Sequence, residues 1–387
     1  MKLLRVIHTI QAHSGGPIEG LKQASRIMSE LGVEVEIACL DAPATVSDEV
    51  ENFPWKVHAL GPGKFGNFSY SSHMRDWLDA NVHQYDAVII HGNWQYHGFA
   101  TSKACLRHKV PYFIYPHGML DPWFNRTYPL KKLKKQLYWR KGEHPVLHHA
   151  QAVLFTCSEE CRLARGCFTP YEVTEKVIGY GTNAPEQSIA ALKETSPHAA
   201  PYFLFLARIQ EKKGLDLLIE AYASLRTRLS DLPDLLIAGP EQQPEYATRL
   251  KTTFPQDGIH WIGSVAGLEK WRLLANAEAL VLPSHQENFG IVVAEALAVG
   301  TPTLISNKVN IYNEIEQSEA GLVENDDLAG TIQLLAIWCT LAPSEKETMA
   351  KAAENLFKTQ FEIRRATENL ITYIRETIDA DESPTSR

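Results

Sequence analysis

The chain has 387 residues, with 38 lysines and arginines against 46 acidic residues and a formal net charge of −8. That length predicts two domains, and the acidic balance argues against a nucleic-acid-binding protein. Hydrophobic residues at 44% and charged residues at 22% are ordinary for a soluble globular enzyme, and no run approaches a membrane-spanning helix in length.

The start, Met1-Lys-Leu-Leu-Arg-Val-Ile-His, is interrupted by Arg5 and His8, which suits a strand over 3–10 rather than a signal peptide. A helix over about 18–31, ended by Gly32, and a strand over 33–39 complete a βαβ opening. Its first turn carries Gly15 and Gly16 but no G-x-G-x-x-G, so the dinucleotide fingerprint is absent. The glycine pair either lets a substrate approach the backbone, with the helix start near a diphosphate, or serves a tight turn at positive φ.

The alternation continues with a strand over 57–60, helix over 74–82, and strands over 87–90 and 112–115. The last two run into His91-Gly92-Asn93-Trp94 and Pro116-His117-Gly118-Met119-Leu120-Asp121-Pro122-Trp123. Both histidines fall at the carboxyl edge of one sheet, where open parallel sheets bind ligands. His117 is the better site candidate and His91 reads as structural. Lys131, Lys132, Lys134, Lys135, Arg140 and Lys141 then make a basic segment in which Leu130, Leu133 and Leu137 share a helical face. That helix either packs its leucines inward, or offers a surface to anionic lipid or a polyprenyl-diphosphate acceptor. Cys157, Cys161 and Cys167 lie near His148 and His149, but at spacings that fit no zinc pattern; reduced thiols are the better reading.

Strands over 152–156 and 176–178 complete the first half, and a proline-marked stretch over 183–201 reads as the linker. The second half has a strand over 202–207, the basic loop Arg208-Ile-Gln-Glu-Lys-Lys213-Gly214, and a helix over 215–229. Strands over 235–238 and 260–262 follow, the second running into Gly263-Ser264-Val265. Next come a strand over 279–282, a polar loop over 284–288, a helix over 291–299 and a strand over 303–305. Glu287 on that loop and Glu295 in that helix can each accept two hydrogen bonds from vicinal hydroxyls, as a ribose or hexose displays them. The Phe289 and Gly290 amides lie near the helix start, which favours a phosphate. Arg208 and Lys213 offer a guanidinium fork and a mobile ammonium to a diphosphate, or form a solvated turn. Ile363, Ala366, Leu370, Ile371, Ile374 and Ile378 form a helical stripe in the tail. The D-x-D at Asp379-Ala-Asp381 lies in its fraying end, a poor metal site.

The string Ser284-x-x-Glu287-x-Phe289-Gly290-x4-Glu295-Ala296-x-Ala298-x-Gly300-x-Pro302 resembles the E-x7-E signature of retaining glycosyltransferases of family four. The resemblance implies an α/β GT-B fold: two Rossmann-like domains facing across a cleft. Residues 1–184 would form the acceptor side, with a final helix over about 361–380 crossing back to it, and 198–360 the nucleotide-sugar side. By the same resemblance Glu295 holds the ribose, and Glu287 the donor sugar. Asn288, Phe289 and Gly290 share that donor loop. Arg208 and Lys213 grip the diphosphate, the Gly263–Val265 loop meets the base, and Gly15, Gly16 and His117 contribute from the first half.

The implied reaction moves a sugar from a UDP- or GDP-linked donor to a glycan or polyprenyl-diphosphate-linked acceptor, with no metal and no cofactor. A cytoplasmic enzyme is implied, touching the inner face of the membrane through the basic segment. The P-H-G-M-L-D-P-W wording resembles members used in exopolysaccharide assembly. Gly179-Tyr-Gly-Thr-Asn183 departs from the family's N-G-V-D. The rival readings are a sugar-nucleotide hydrolase or epimerase on the same fold, and a non-catalytic polysaccharide-assembly protein.

Overall fold

The structure, a computed structural model, describes residues 1–11, 16–46, 53–127, 129–229 and 231–382. The chain divides into two units, Met1–Tyr180 with Ile363–Arg387, and Gly181–Glu362. The first is built on seven strands: β1 (Lys2–Ile7), β2 (Glu34–Cys39), β3 (Lys56–Ala59), β4 (Ala87–His91), β5 (Tyr112–Tyr115), β6 (Ala152–Phe155) and β7 (Glu175–Val177). The second has six: β8 (Tyr202–Leu206), β9 (Asp234–Ala238), β10 (Ile259–Gly263), β11 (Ala279–Leu282), β12 (Thr303–Ser306) and β13 (Gly321–Glu324).

All pairings are parallel, in the orders β3-β2-β1-β4-β5-β6-β7 and β10-β9-β8-β11-β12-β13. Each sheet grows outward on one side of its first strand, then returns to that strand and grows the other way. The reversal brings the loops after β1 and β4, and those after β8 and β11, to adjacent positions at a carboxyl edge. Such a switch point is where open α/β sheets take their ligands.

Strands β4, β5, β6, β8, β11 and β12 are buried at every position. Helices cover both faces of a parallel sheet, so these strands read as unbroken apolar runs rather than alternating ones. The tail helix, Ile363–Glu382, belongs to the first unit. Its Leu370, Ile371 and Ile374 pack with Leu3, Met28, Phe113 and Leu154, and its Ile363 packs with Ala24 and Ile27 of the helix Gly16–Glu30. Each buried Leu or Ile is worth about 1.5–3 kcal/mol, enough to hold the returning tail in place. The side chain of Asp381, like Gly15, lies outside the described residues.

Three features differ from the sequence reading. The linker stretch contains a short helix, Ile189–Lys193, started by the Ser188 hydroxyl, which accepts from the Ala191 amide at 3.2 Å. The helix is held by buried Leu192 and by the Asn276 amide donating to the Leu192 carbonyl at 3.0 Å. Secondly, β13 and the helices Leu328–Thr340 and Pro343–Leu356 occupy sequence to which no element was assigned.

Thirdly, the basic segment does not turn its leucines inward. No residue of the helix Pro129–Tyr138 is buried, and Leu130, Leu133 and Leu137 are 85%, 64% and 73% exposed. The anchor comes one residue later, at fully buried Trp139, whose indole N–H donates to the Pro170 carbonyl at 2.6 Å. There the helix widens into a π-helical turn, Trp139–Glu143. The six cysteines are free thiols, and burial pushes Cys161 up to about 11 and Cys167 up to about 12.

One glycine ties the second sheet to its loops. Gly214 stands at φ +66, and a Cβ there would fall 2.1 Å from the Pro283 carbonyl oxygen. Gly267 is also left-handed, at φ +55, but a Cβ there meets nothing within 4 Å. Alanine at Gly267 should cost only the left-handed backbone term, about 1–2 kcal/mol. Alanine at Gly214 should cost at least about 1 kcal/mol more, because the Pro283 backbone must move as well. Urea unfolding of the two variants measures the difference; equal losses would mean that the Gly214–Pro283 approach constrains nothing.

Candidate active site

In the second unit, β8 and β11 are neighbours, and the loops that leave them are fastened together. Past β8 the chain runs through exposed Arg208 into the short 3-10 turn Glu211–Lys213. Past β11 it runs through Pro283 to Gly290 and into the helix Ile291–Ala298. The His285 amide donates to the Lys212 carbonyl at 2.9 Å, and the Lys213 ammonium pairs with the Glu287 carboxylate. Lys213 is buried, so its charge has to be met inside the protein. Burial alone would raise the Glu287 carboxyl, yet Lys213, then Lys212 and Arg208, hold it below its ordinary value.

Glu287 is also fixed through its backbone. Its amide donates to the Lys308 carbonyl at 2.9 Å, and its carbonyl accepts from the Asn310 amide at 3.0 Å. Asn288 faces the Asn310 side-chain amide at 3.4 Å, and Phe289 is buried edge-on against Phe361. Gly290 caps the helix at φ +72. The sequence therefore brings Lys213, Glu287 and a helix start to one point, with Arg208 close enough to act on the same carboxylate.

Glu295 lies about one turn into that helix and is buried. It pairs with Lys270 at 2.6 Å, whose ammonium also sits over the Trp271 ring at 4.9 Å. Lys270 was passed over in the sequence because it stands on a different helix, Gly267–Asn276. Gly263 ends β10 at φ +82 with open space where a Cβ would be, and half-buried Val265 follows in the exposed loop before Lys270.

The first unit gathers a different set at its own switch point. Arg5 lies inside β1 and is 3% exposed. It donates to the Leu21 carbonyl and the Ser25 hydroxyl, each at 2.9 Å, and to His91 Nε2 at 3.1–3.2 Å. His91 Nδ1 lies 3.0 Å from His117 Nε2, and the rings of His91, His117 and Tyr115 stack within 14° of parallel. Burial brings the Arg5 guanidinium down only to about 10, so it stays charged. Burial, with Arg5 second, takes His117 down to about 3, and burial followed by Arg5, His117 and His97 takes His91 well down.

These facts fix the protons. A guanidinium can only donate, so His91 Nε2 accepts and neutral His91 carries its proton on Nδ1. That proton goes to His117 Nε2, which leaves His117 presenting Nδ1–H. His117 itself stands at φ +50, next to Gly118 at φ +73. The strained turn is held by buried Glu160, whose carboxylate accepts from the Gly118 amide at 2.6 Å and from the Thr156 amide and hydroxyl at 2.8 and 2.6 Å. His91 is buried between Arg5 and His117. Arg5 and Glu160 were missed, although an arginine inside an apolar strand was a visible signal. Gly16 begins its helix and its carbonyl faces the Tyr180 hydroxyl at 3.5 Å. Among the described residues, ligand-type atoms converge on a possible cation position only at His198, Asp234 and His260, away from all of these.

Comparison with known proteins assigns the family. Residues 189–356 match the glycosyl transferases group 1, and residues 15–181 match the glycosyl transferase 4-like domain. The chain is 28% identical over 235 residues to the D-inositol 3-phosphate glycosyltransferase of Kribbella flavida, covering 55% of this chain and 53% of that one. It is 28% identical over 204 residues to the D-rhamnosyltransferase WbpZ of Pseudomonas aeruginosa, covering 49% and 50%. It thus spans about half or less of the length of the curated relatives it matches.

Among solved structures, Anabaena HepE in complex with UDP and glucose superposes with a TM-score of 0.74 at 15% identity, over 97% of this chain and 99% of that one. WaaG, a glycosyltransferase involved in lipopolysaccharide biosynthesis, gives 0.65 at 16% identity, over 97% and 99%. These likenesses establish the GT-B fold. With one family match in each half, the chain belongs to the group 1 glycosyltransferases of the family-four type.

Proposed function

We propose that the protein is a retaining glycosyltransferase that moves a sugar from a UDP- or GDP-linked donor to a glycan or polyprenyl-diphosphate-linked acceptor in cell-surface polysaccharide assembly. The observation that carries this reading is the Lys213–Glu287 pair at the β8/β11 switch point, beside Arg208 and the start of the helix Ile291–Ala298. HepE, solved with UDP and glucose, and the D-rhamnosyltransferase among the relatives support a nucleotide-sugar donor.

In this reading the donor diphosphate takes Lys213 and Arg208 as its counter-charges, and Glu287, released from Lys213, accepts hydrogen bonds from the sugar. Glu295 and Lys270 flank the nucleoside, and Gly263 and Val265 meet the base. Glu287 is then occupied by the sugar hydroxyls and does not serve as the proton acceptor. The diphosphate itself serves instead. As the bond from the anomeric carbon to the phosphate oxygen breaks, the acceptor oxygen bonds to the same face, and its proton passes to the departing phosphate. Arg208, Lys213 and the helix start stabilise the charge that develops there. His117, neutral and presenting Nδ1–H, donates to a sugar hydroxyl rather than acting as a base. No metal enters these steps.

No described helix is long and apolar enough to cross a membrane. The exposed leucines of Pro129–Tyr138, ringed by Lys131, Lys132 and Lys134, support instead a cytoplasmic enzyme that rests on an anionic membrane surface, where a lipid-linked acceptor is presented.

Three measurements test the reading. Calorimetry should show nucleoside diphosphate binding weakened about 10- to 100-fold in Lys213→Ala and Arg208→Ala. Glu295→Gln should weaken it too, while Glu287→Gln should bind the diphosphate at least as well and lose turnover. Unchanged binding in both cation variants would remove the diphosphate assignment. Proton NMR of the product from an α-linked donor should show an α linkage. A β-linked product would overturn the mechanism, and free sugar formed equally with and without acceptor would favour the hydrolase. Sedimentation with vesicles should rise with phosphatidylglycerol content, fade as salt screens the charges, and drop when Leu130, Leu133 and Leu137 are all changed to serine. Equal recovery on neutral and anionic vesicles would leave the helix as a solvated surface.

A further inference from the structure

The edge of the second sheet opposite the donor loops carries a second constellation. His198 precedes β8, Asp234 is the first residue of β9, and His260 is the second residue of β10. The three therefore collect at the amino ends of adjacent strands. His198 Nε2 lies 2.8 Å and His260 Nε2 3.2 Å from the same oxygen, Asp234 Oδ2. The two imidazole rings are 4.8 Å apart, and the three ligand atoms all fall within 4.8 Å of one another. Each of the three residues is partly exposed, so the point between them is reachable from solvent. The nearby guanidinium of Arg226 is directed elsewhere, to Asp257 at 3.0 Å and the Leu232 carbonyl at 2.9 Å.

We propose that His198, Asp234 and His260 bind a first-row divalent cation, zinc for preference. Two imidazole nitrogens and one carboxylate oxygen suit zinc and its neighbours, whereas magnesium and calcium demand an all-oxygen set. Metal bonds of about 2.0–2.2 Å at tetrahedral angles separate neighbouring ligand atoms by about 3.3 Å. The observed contacts to Oδ2 need to open by only about half an ångström to reach that spacing. Three protein ligands leave one position for water.

The cation replaces the two hydrogen bonds to Asp234 and ties the segment before β8 to β9 and β10. Its effect is on the folded state of this unit, and it takes no part in sugar transfer. No motif marks the site, because its ligands come from three separated segments with no short spacing among them.

The test is a calorimetric titration of zinc chloride into the full-length, chelator-treated protein, together with thermal melting. One saturable site per chain is expected, with a melting temperature that rises with zinc concentration, because the cation binds the folded state only. His260→Ala and Asp234→Asn should each weaken zinc binding at least about 100-fold, more than the loss of an outer-shell partner, and should abolish the rise. Excess magnesium should not compete. Circular dichroism of the metal-free variants establishes that each is folded. Absence of a saturable site in the native chain would overturn the proposal. So would an unchanged affinity and stoichiometry in both folded variants, which would place the zinc on other surface histidines.

Discussion

The candidate site of the second unit depends on two loops being forced together at a sheet crossover. Because β11 is laid beside β8, the loop carrying Lys213 and the loop carrying Glu287 leave the sheet as neighbours. The close approach of Gly214 to the Pro283 carbonyl and the His285–Lys212 hydrogen bond set their separation. A buried ammonium and a half-buried carboxylate then meet at the only register those contacts allow. Desolvating either charge alone would cost several kcal/mol, so each is a condition for the other's presence. The site is thus a consequence of topology first and of side-chain choice second.

The two switch points use opposite electrostatic solutions. In the second unit, opposite charges neutralise one another and leave a strongly polar point on which an anion can compete. In the first, one charged group, Arg5, is buried under the sheet edge and surrounded by neutral acceptors: a carbonyl, a hydroxyl and an imidazole nitrogen. The charge is not cancelled but directed. Burial first, and Arg5 second, keep two stacked imidazoles neutral, and the guanidinium orders their protons in one direction, from His91 to His117. A protonated histidine at position 117 would be a second cation beside Arg5; a neutral one offers a fixed donor without adding charge, as the proposed contact with a sugar hydroxyl requires.

Much of this was legible in the sequence, and the failures have physical causes. Parallel strands buried on both faces leave apolar runs, so β1, β4, β5, β8, β11 and β12 could all be read, and glycine-bounded Ile291–Ala298 could be read as a buried helix. The tail stripe from Ile363 to Ile374 likewise announced its packing. Lys270 and Glu160 were not legible, because each is defined by a partner far along the chain, and spacing carries no trace of a contact between segments; Arg5 stood out as an arginine in an apolar strand, but its partners did not. The leucines of Pro129–Tyr138 were ambiguous for a different reason. An amphipathic stripe states that a face is apolar, but not whether protein or something else covers it. Here Trp139, not the leucines, fastens the segment to the core.

The ion pair at Lys213 also bears on how such a site is kept ready without a ligand. A preorganised diphosphate site needs fixed positive charge, but unpaired positive charge in a partly desolvated pocket is unstable. Pairing the ammonium with Glu287 resolves the conflict if, as proposed, the carboxylate holds the place of the phosphate. On the proposed reading, an incoming diphosphate exchanges one anionic partner of Lys213 for another, so little net charge is desolvated in the exchange. The displaced carboxylate becomes available at the moment a sugar arrives attached to that diphosphate. A nucleotide without a sugar would displace Glu287 and leave it without a partner, whereas the intact donor supplies hydroxyls to it. The same pair of side chains therefore favours the complete substrate over its product, a discrimination built from the exchange of a single contact.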